Sequence, residues 1–195
     1  TTPFPSIALG LVMVGACPGG NISNFMTKLA GGNAALSVSL TAFASIAALV
    51  MTPLNFALWG NAYEPTSEIL KRVSVDPLEV VRLVLLILGI PLLLGMMLQY
   101  YRSKLATKIS KILKPVSILI FLAFIAVAFF DNLDIFMNHI HYVLFLVILH
   151  NGLLLLVGFL FARANRLSYI DQKTLSIETG IQNSGLGLLL VFSFF

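Results

Sequence analysis

The chain has 195 residues, of which 58% are hydrophobic and only 10% charged, and its mean hydropathy is +0.98. A soluble domain does not need so much apolar surface, so the composition excludes an ordinary water-soluble fold. It predicts an all-α membrane protein, a polytopic helical bundle. The twelve basic residues exceed the eight acidic ones, but their distribution does not indicate a nucleic-acid partner. Membrane lipids are the expected surroundings.

The single cysteine and the two ends of the sequence give further expectations about the protein. Cys17 is the only cysteine, so an internal disulfide or a thiolate metal cluster is excluded. The first residues carry neither an initiator Met nor a basic segment, and the apolar stretch after them does not predict a signal peptide. The last apolar stretch runs to Phe195 without a polar flank, so we expect a piece of a longer protein.

Hydropathy divides the chain into six apolar segments, each near the roughly 20 residues that a spanning helix needs. Between the second and third, residues 60–76 predict an outer loop or short surface helix. Residues 101–114 predict a basic amphipathic connector along the lipid headgroups. The six predicted spans are 6–29, 34–59, 77–100, 115–134, 142–162 and 172–195.

The charged residues predict the orientation of these spans. Connections on one side hold nine of the twelve basic residues, and six of the eight acids fall on the other side. Because basic residues concentrate on the cytoplasmic side, the first set is predicted to be cytoplasmic. That set is Lys28, Arg102, Lys104, Lys108, Lys111, Lys114, Arg163, Arg166 and Lys173.

The first apolar segment contains a polar interruption, CPGGNISN at 17–24. Proline removes a backbone donor and the paired glycines are flexible, so a break in the helix is predicted here. Unwound backbone at membrane depth is tolerated only where it is buried in protein or lines a wet cavity. A packing kink would not require Asn21, Ser23 and Asn24 as well.

The last apolar segment contains a second interruption, ETGIQNSG at 178–185. Glu178 is the only acid at predicted membrane depth, and a lone carboxylate there costs a few kcal/mol. No Lys or Arg lies at comparable depth, so a bound cation or a proton is the expected partner. The oxygen ligands nearby suit a hard cation such as sodium. Ser37 and Thr41, at a spacing of four, add hydroxyls on one helix face, although such pairs also serve helix packing.

Two discontinuous helices also present free helix ends. Their N–H groups favour an anion and their carbonyls favour a cation. The second halves open near Asn21 and near Asn183, which predicts adjacent anion and cation surfaces.

At these residues the sequence resembles the sodium/bile acid symporter family. The matching stretches are 17–24, ALSVSLT at 35–41 and 178–185, and the resemblance extends over essentially the whole chain. It implies a ten-helix inverted-repeat transporter fold, of which this chain would cover the fourth to ninth helices, with three helices before it and one after. It also implies a core domain at 1–59 and 135–195 and a panel domain at 77–134. A bacterial inner membrane is the expected location.

The resemblance implies two sodium sites and one substrate site. The first sodium site would use the side chains of Ser23, Asn24, Ser37, Thr41 and Glu178. The second would use Glu178, Gln182 and the backbone of Thr179 and Ile181, and would be incomplete here because the family completes it from its third helix. Substrate contacts would come from Asn21, Ile22 and Asn183.

These observations predict a sodium-coupled symporter of an organic anion, such as a bile salt or a small carboxylate, rather than an enzyme. A proton-coupled carrier is the nearest alternative, and a channel or structural membrane subunit is an alternative of another class. His150 and Asn151 form a further intramembrane polar pair, for which helix packing and a role near the cation path both stay open. His139 and His141 are predicted in an outer loop, without a metal.

Overall fold

The computed structural model describes residues 5–73 and 77–194. Within this part the regular structure is helical, which confirms the predicted all-α class, apart from one isolated bridge between Gly19 and Gln182. The helices are α1 (Pro5–Ala16), α2 (Asn21–Leu29), α3 (Ala34–Ala62), α4 (Glu64–Val73), α5 (Pro77–Val84), α6 (Ile90–Tyr101), α7 (Ser103–Asp131), α8 (Leu133–Ala164), α9 (Tyr169–Gly180) and α10 (Ser184–Phe194). A π-helical segment, Leu85–Gly89, joins α5 to α6.

Four helices of the described part are long and apolar enough to cross a membrane. They are Ala34–Ala62, Leu78–Tyr101, Ser103–Asp131 and Val143–Ala164, which overlap the second to fifth predicted spans. The first and last predicted spans each correspond to two shorter helices, α1 with α2 and α9 with α10. Large apolar side chains on α7 are exposed, for example 67% of Leu119 and 69% of Phe130. Apolar surface of this extent is expected to face lipid or other protein.

Two predicted boundaries are wrong. The connector at 101–114 was predicted to be separate from a span beginning at Pro115, but α7 runs through both, with Pro115 inside it. One proline costs about 3 kcal/mol in a helix interior, which the many good helix formers around it can offset. His139 and His141 lie inside α8 rather than in a loop. Polar side chains alone do not end a helix, because its backbone N–H and C=O groups must first have other hydrogen-bond partners.

The segment at 60–76, for which an outer loop or a short surface helix was predicted, contains helix α4. Its last residues, 74–76, lie outside the described residues.

Most buried apolar side chains of the described residues form one cluster, which involves α1, α3, α4, α5 and α10, while Ala48 and Ala162 are buried outside it. Its members are Leu9, Met13, Ala16, Cys17, Phe56, Leu70, Val80, Val84, Leu186 and Leu190. Thr52 of α3 donates to the carbonyl of Ala16 at 2.7 Å and so satisfies the last turn of α1. This cluster fixes α1 and α10 against the C-terminal half of α3.

A second interface, between α2, the N-terminal half of α3 and α9, has a different chemistry. Among the described residues, the buried side chains of this interface are polar. Helix α9 has three buried residues, Thr174, Glu178 and Gly180, of which the glycine has no side chain. The buried polar side chains of the interface are Ser23, Thr27, Ser37, Thr41, Thr174 and Glu178. Hydrogen bonds, rather than apolar burial, therefore hold these three helices in register.

Candidate functional site

The two polar interruptions lie against each other. Helix α1 ends at Ala16 and α2 begins at Asn21, while α9 ends at Gly180 and α10 begins at Ser184. The backbone N–H of Asn183 donates to the carbonyl of Pro18 at 2.8 Å, and Gly19 and Gln182 form an antiparallel bridge. A Cβ on Gly20 would lie 3.3 Å from the Cα of Asn183. The crossing therefore depends on glycine, because a side chain would press on the opposite backbone.

Glu178 lies beside this crossing, at the end of α9, and is only 8% exposed. Its Oε1 accepts from the hydroxyls of Ser23, at 2.8 Å, and of Ser37. Its Oε2 accepts from the hydroxyl of Thr41 at 2.8 Å. No ion pair of Glu178 with a basic side chain is found within the part of the chain described. The carboxylate is thus buried among neutral hydroxyl donors.

Asn24 completes a compact group of oxygen atoms. Its Oδ1 lies 2.8 Å from the Ser37 hydroxyl and 3.3 Å from that of Thr41, and the Ser23 hydroxyl lies 2.5 Å from the carbonyl of Gly20. The five side chains predicted for the first sodium site are therefore adjacent.

The group holds more oxygen contacts than protons. The three hydroxyls carry one proton each but take part in six contacts, two for each hydroxyl. The orientation of the Asn24 amide is assigned from its neighbours, so the amide can also be placed the other way round. Turning it would add two donor protons and would still leave one of the six contacts without a proton. A cation among these oxygens, or a proton on Glu178, would relieve this shortage.

A second group of oxygen atoms lies next to Gly19. A Cβ there would lie 3.2 Å from both the carbonyl oxygen and the Oε2 of Glu178, and 3.8 Å from the carbonyl oxygen of Ile181. The amide nitrogen of Gln182 donates to the carbonyl of Thr179 at 3.0 Å. Among the residues predicted for the second sodium site, Glu178 and Ile181 therefore lie next to Gly19, and Gln182 bonds to Thr179.

The predicted substrate residues lie at the starts of α2 and α10. The Asn183 Oδ1 accepts from the backbone N–H of Leu186 at 3.1 Å and so caps α10. Ile22, in the first turn of α2, is 54% exposed. The predicted contact through the Asn21 side chain lies outside the described side chains. The N-termini of α2 and α10 thus both lie at the crossing of the two interruptions.

The two residues of the further polar pair on α8 have different surroundings. A Cβ on Gly15 would lie 3.8 Å from the Nε2 of His150, so this histidine faces α1, whereas Asn151 is exposed.

Sequence reasoning missed four polar residues next to the site. Asn33 and Asp171 are bonded to each other at 2.9 Å, and Thr27 and Thr174 are fully buried. A helical spacing of four from Ser37, Ser23 and Glu178 could have pointed to Asn33, Thr27 and Thr174, because residues at that spacing share a helix face.

Together, the apolar helices and the buried carboxylate define an integral membrane protein with an oxygen-rich anionic site. The profile of the Sodium Bile acid symporter family matches residues 2–139, and the chain belongs to this family.

Several similar proteins are named as sodium-dependent transporters and not as enzymes. The chain is 35% identical to the uncharacterized sodium-dependent transporter YocS of Bacillus subtilis, over 97% of the chain and 56% of that protein. It is 35% identical to the probable sodium/metabolite cotransporter BASS1 of Arabidopsis thaliana chloroplasts, over 98% and 45%. It is 31% identical to the mouse sodium-dependent organic anion transporter, over 97% and 48%. The chain thus spans about half the length of these relatives.

Proposed function

We propose that the chain forms the ion- and substrate-binding part of a symporter that carries an organic anion, such as a bile salt or a small carboxylate, together with sodium. The observation that carries this proposal is the buried Glu178 carboxylate within a group of oxygen atoms that has too few protons for its contacts. The names of the relatives, which include a sodium-dependent organic anion transporter, support it.

In the first sodium site, five oxygen ligands would come from Ser23, Asn24, Ser37, Thr41 and Glu178. Sodium is a hard cation for which hydroxyl, amide and carboxylate oxygens are suitable ligands. A bound cation would neutralise Glu178 and remove the need for a proton in every contact. The site would therefore tie α2, α3 and α9 together, since each helix contributes at least one ligand.

In the second sodium site, Glu178 and Gln182 would act with the backbone carbonyls of Thr179 and Ile181. The oxygens next to Gly19 support this, because the carbonyl oxygen and Oε2 of Glu178 and the carbonyl oxygen of Ile181 lie close together there. The resemblance assigns its remaining ligand to the third helix of the family. One carboxylate shared by two cations would couple the two binding events.

The organic anion would bind at the crossing, against the N-termini of α2 and α10. Free N–H groups and the helix dipole favour an anion there. Asn21, Ile22 and Asn183 would contact it; Asn183 holds its own helix end through Oδ1, which leaves its amide nitrogen for a carboxylate or sulfonate oxygen. Sodium at Glu178 would favour the same anion electrostatically.

Transport would proceed by alternating access in a ten-helix inverted-repeat fold with two broken helices. A core domain, 1–59 and 135–195, would move against a panel domain, 77–134, with the bound ions and anion. Two sodium ions with one monovalent anion carry one net positive charge, which a potential of 100 mV drives by about 2.3 kcal/mol. Uptake would therefore be electrogenic.

The test is uptake by the complete protein in proteoliposomes, with sodium replaced by choline at fixed pH. We expect saturable anion uptake that needs sodium and is abolished by Glu178→Ala. A proton-coupled carrier is the second candidate, because a proton on Glu178 would also reduce the proton shortage. Uptake that persists when choline replaces sodium, and that a pH gradient drives, would favour the proton-coupled carrier. Non-saturable flux without coupled sodium movement would instead indicate a channel or a structural subunit.

A further inference from the structure

Asn33 connects the start of α3 to the start of α9. Its Oδ1 accepts from the backbone N–H of Leu36 at 3.1 Å and caps α3. Its Nδ2 donates to the Oδ1 of Asp171 at 2.9 Å, and its backbone N–H donates to the Oγ1 of Thr174 at 2.7 Å. One residue therefore makes the cap of one helix and two bonds to another.

The turn before Asn33 is also fixed to α9. The Nζ of Lys173 donates to the carbonyl of Ala30 at 2.9 Å. A Cβ on Gly32 would lie 2.8 Å from both the Oγ1 of Thr174 and the Cγ2 of Thr27, so the turn is packed directly on the two helices. These contacts lie at the end of the helices that the charge pattern predicts to be cytoplasmic.

The same faces of α3 and α9 carry the candidate sodium ligands. Asn33, Ser37 and Thr41 follow each other at a spacing of four, which keeps them on one face of α3. Asp171, Thr174 and Glu178 share a face of α9 in the same way. The Asn33 to Asp171 contact is therefore one or two turns, about 6 to 12 Å along each helix, from the sodium ligands.

The apolar cluster does not hold this interface, since its members belong to α1, α3, α4, α5 and α10 and to the residue after α1. Between α2, the start of α3 and α9, the buried side chains of the described residues are polar. A change in the polar contacts at one end of the interface should therefore shift the register at the other end.

We propose that Asn33 is a positioning residue for the sodium site. It holds α3 against α9 so that Ser37 and Thr41 meet the Glu178 carboxylate, and Asp171 is its partner. This inference rests on the proposed sodium coupling. Asn33 does not touch the ion, so its effect is on the sodium concentration needed and not on transport once sodium is saturating.

The test separates the bond to Asp171 from the helix cap. Asn33→Asp keeps an oxygen for the N–H of Leu36 but brings a second carboxylate against Asp171. Asp171→Asn keeps an acceptor for Asn33. The double variant Asn33→Asp with Asp171→Asn restores the bond in the opposite sense, because the new amide can donate to the new carboxylate.

The measurement is the half-saturating sodium concentration for anion uptake by the complete protein, with the rate at saturating sodium. For Asn33→Asp we expect that concentration to rise about three- to tenfold, as the loss of a charge-assisted hydrogen bond near the surface would produce. The maximal rate should change less than about twofold, and the double variant should return to within about threefold of the unaltered protein. Gln172→Ala is the matched control, since its side chain bonds only to the carbonyl of Leu167.

Three results would overturn the inference. They are an unchanged sodium requirement in Asn33→Asp, a rise that the double variant does not reverse, and an equal rise in Gln172→Ala. Failure of the proposed function is distinguishable, because uptake by the unaltered protein would then not depend on sodium.

Discussion

Replacing Ser37 by alanine removes a hydroxyl that contacts both the Glu178 carboxylate and the Oδ1 of Asn24. The side chain is fully buried, so the substitution acts inside the oxygen group and not on the surface. Alanine is smaller and a better helix former than serine, and α3 itself should remain intact. The substitution therefore tests one ligand of the proposed first sodium site.

The expected size of the effect follows from the charge of the partner. A hydrogen bond to a charged group contributes about 1.5–3 kcal/mol, and the loss of a ligand that interacts with both a carboxylate and a cation should lie in this range. Sodium affinity should therefore fall about 10- to 100-fold. The assay is binding of radioactive sodium to the purified protein, displaced by unlabelled sodium.

Ser39→Ala is the matched control, two residues away on the same helix. Its side chain is exposed and its hydroxyl donates only to the carbonyl of Ala35, at 2.9 Å. We expect its sodium affinity to stay within about twofold, as for surface substitutions. Wild-type affinity in Ser37→Ala, or an equal loss in Ser39→Ala, would refute the assignment of Ser37 as a ligand.

Three other predictions concern Gly19, Glu178 and Asp171. Gly19→Ala should lower the number of sodium ions bound per chain, because its Cβ would lie 3.2 Å from two oxygens of Glu178. Gly10→Ala is the control, since its Cβ would have nothing within 4 Å. An equal number of bound sodium ions in both variants would contradict the second site. Glu178→Gln should abolish the rise in melting temperature on adding sodium and should not lower the sodium-free melting temperature, since it removes a buried charge; a sodium response that persists would exclude Glu178 as a ligand. Hydrogen bonds from Asn33 and Ser168 lower the pKa of Asp171, so its stabilising contribution is complete above its ordinary pKa of about 3.9 and is lost as the pH falls through the lower folded value. The difference in melting temperature between the unaltered protein and Asp171→Asn should be constant from about pH 5 to 8 and shrink below about pH 4; a difference that changes between pH 5 and 8 would contradict this.

Local residue patterns predicted the helical class and the positions of the two interruptions. Pro18 with two glycines limits helix formation through the backbone itself, and α1 indeed ends at Ala16. The same local reasoning failed at Pro115 and at His139 and His141. Whether a helix continues through a proline or a polar stretch depends on the balance of all its residues, which no single residue reveals.

Pairing across the chain was beyond the reach of local patterns. The hydroxyls of Ser23 and Ser37 reach Glu178 from 155 and 141 positions away. Residue patterns marked both serines, but only the family resemblance grouped them with Glu178 in one site. The Asn33 to Asp171 contact was missed because an asparagine before a helix is explained by capping alone. Its second bond exists only because α3 and α9 pack side by side.

By itself, the sequence determined that the chain is an apolar helical protein, and it predicted two interrupted helices and a cation or a proton at Glu178. These follow from composition and backbone chemistry, which act within a few residues. The tertiary structure alone decided which oxygens surround Glu178, which oxygens lie next to Gly19, and that the interface of α2, α3 and α9 is polar. The physical reason is that a hydrogen bond depends on distances of about 3 Å, and only packing brings residues so far apart in sequence that close.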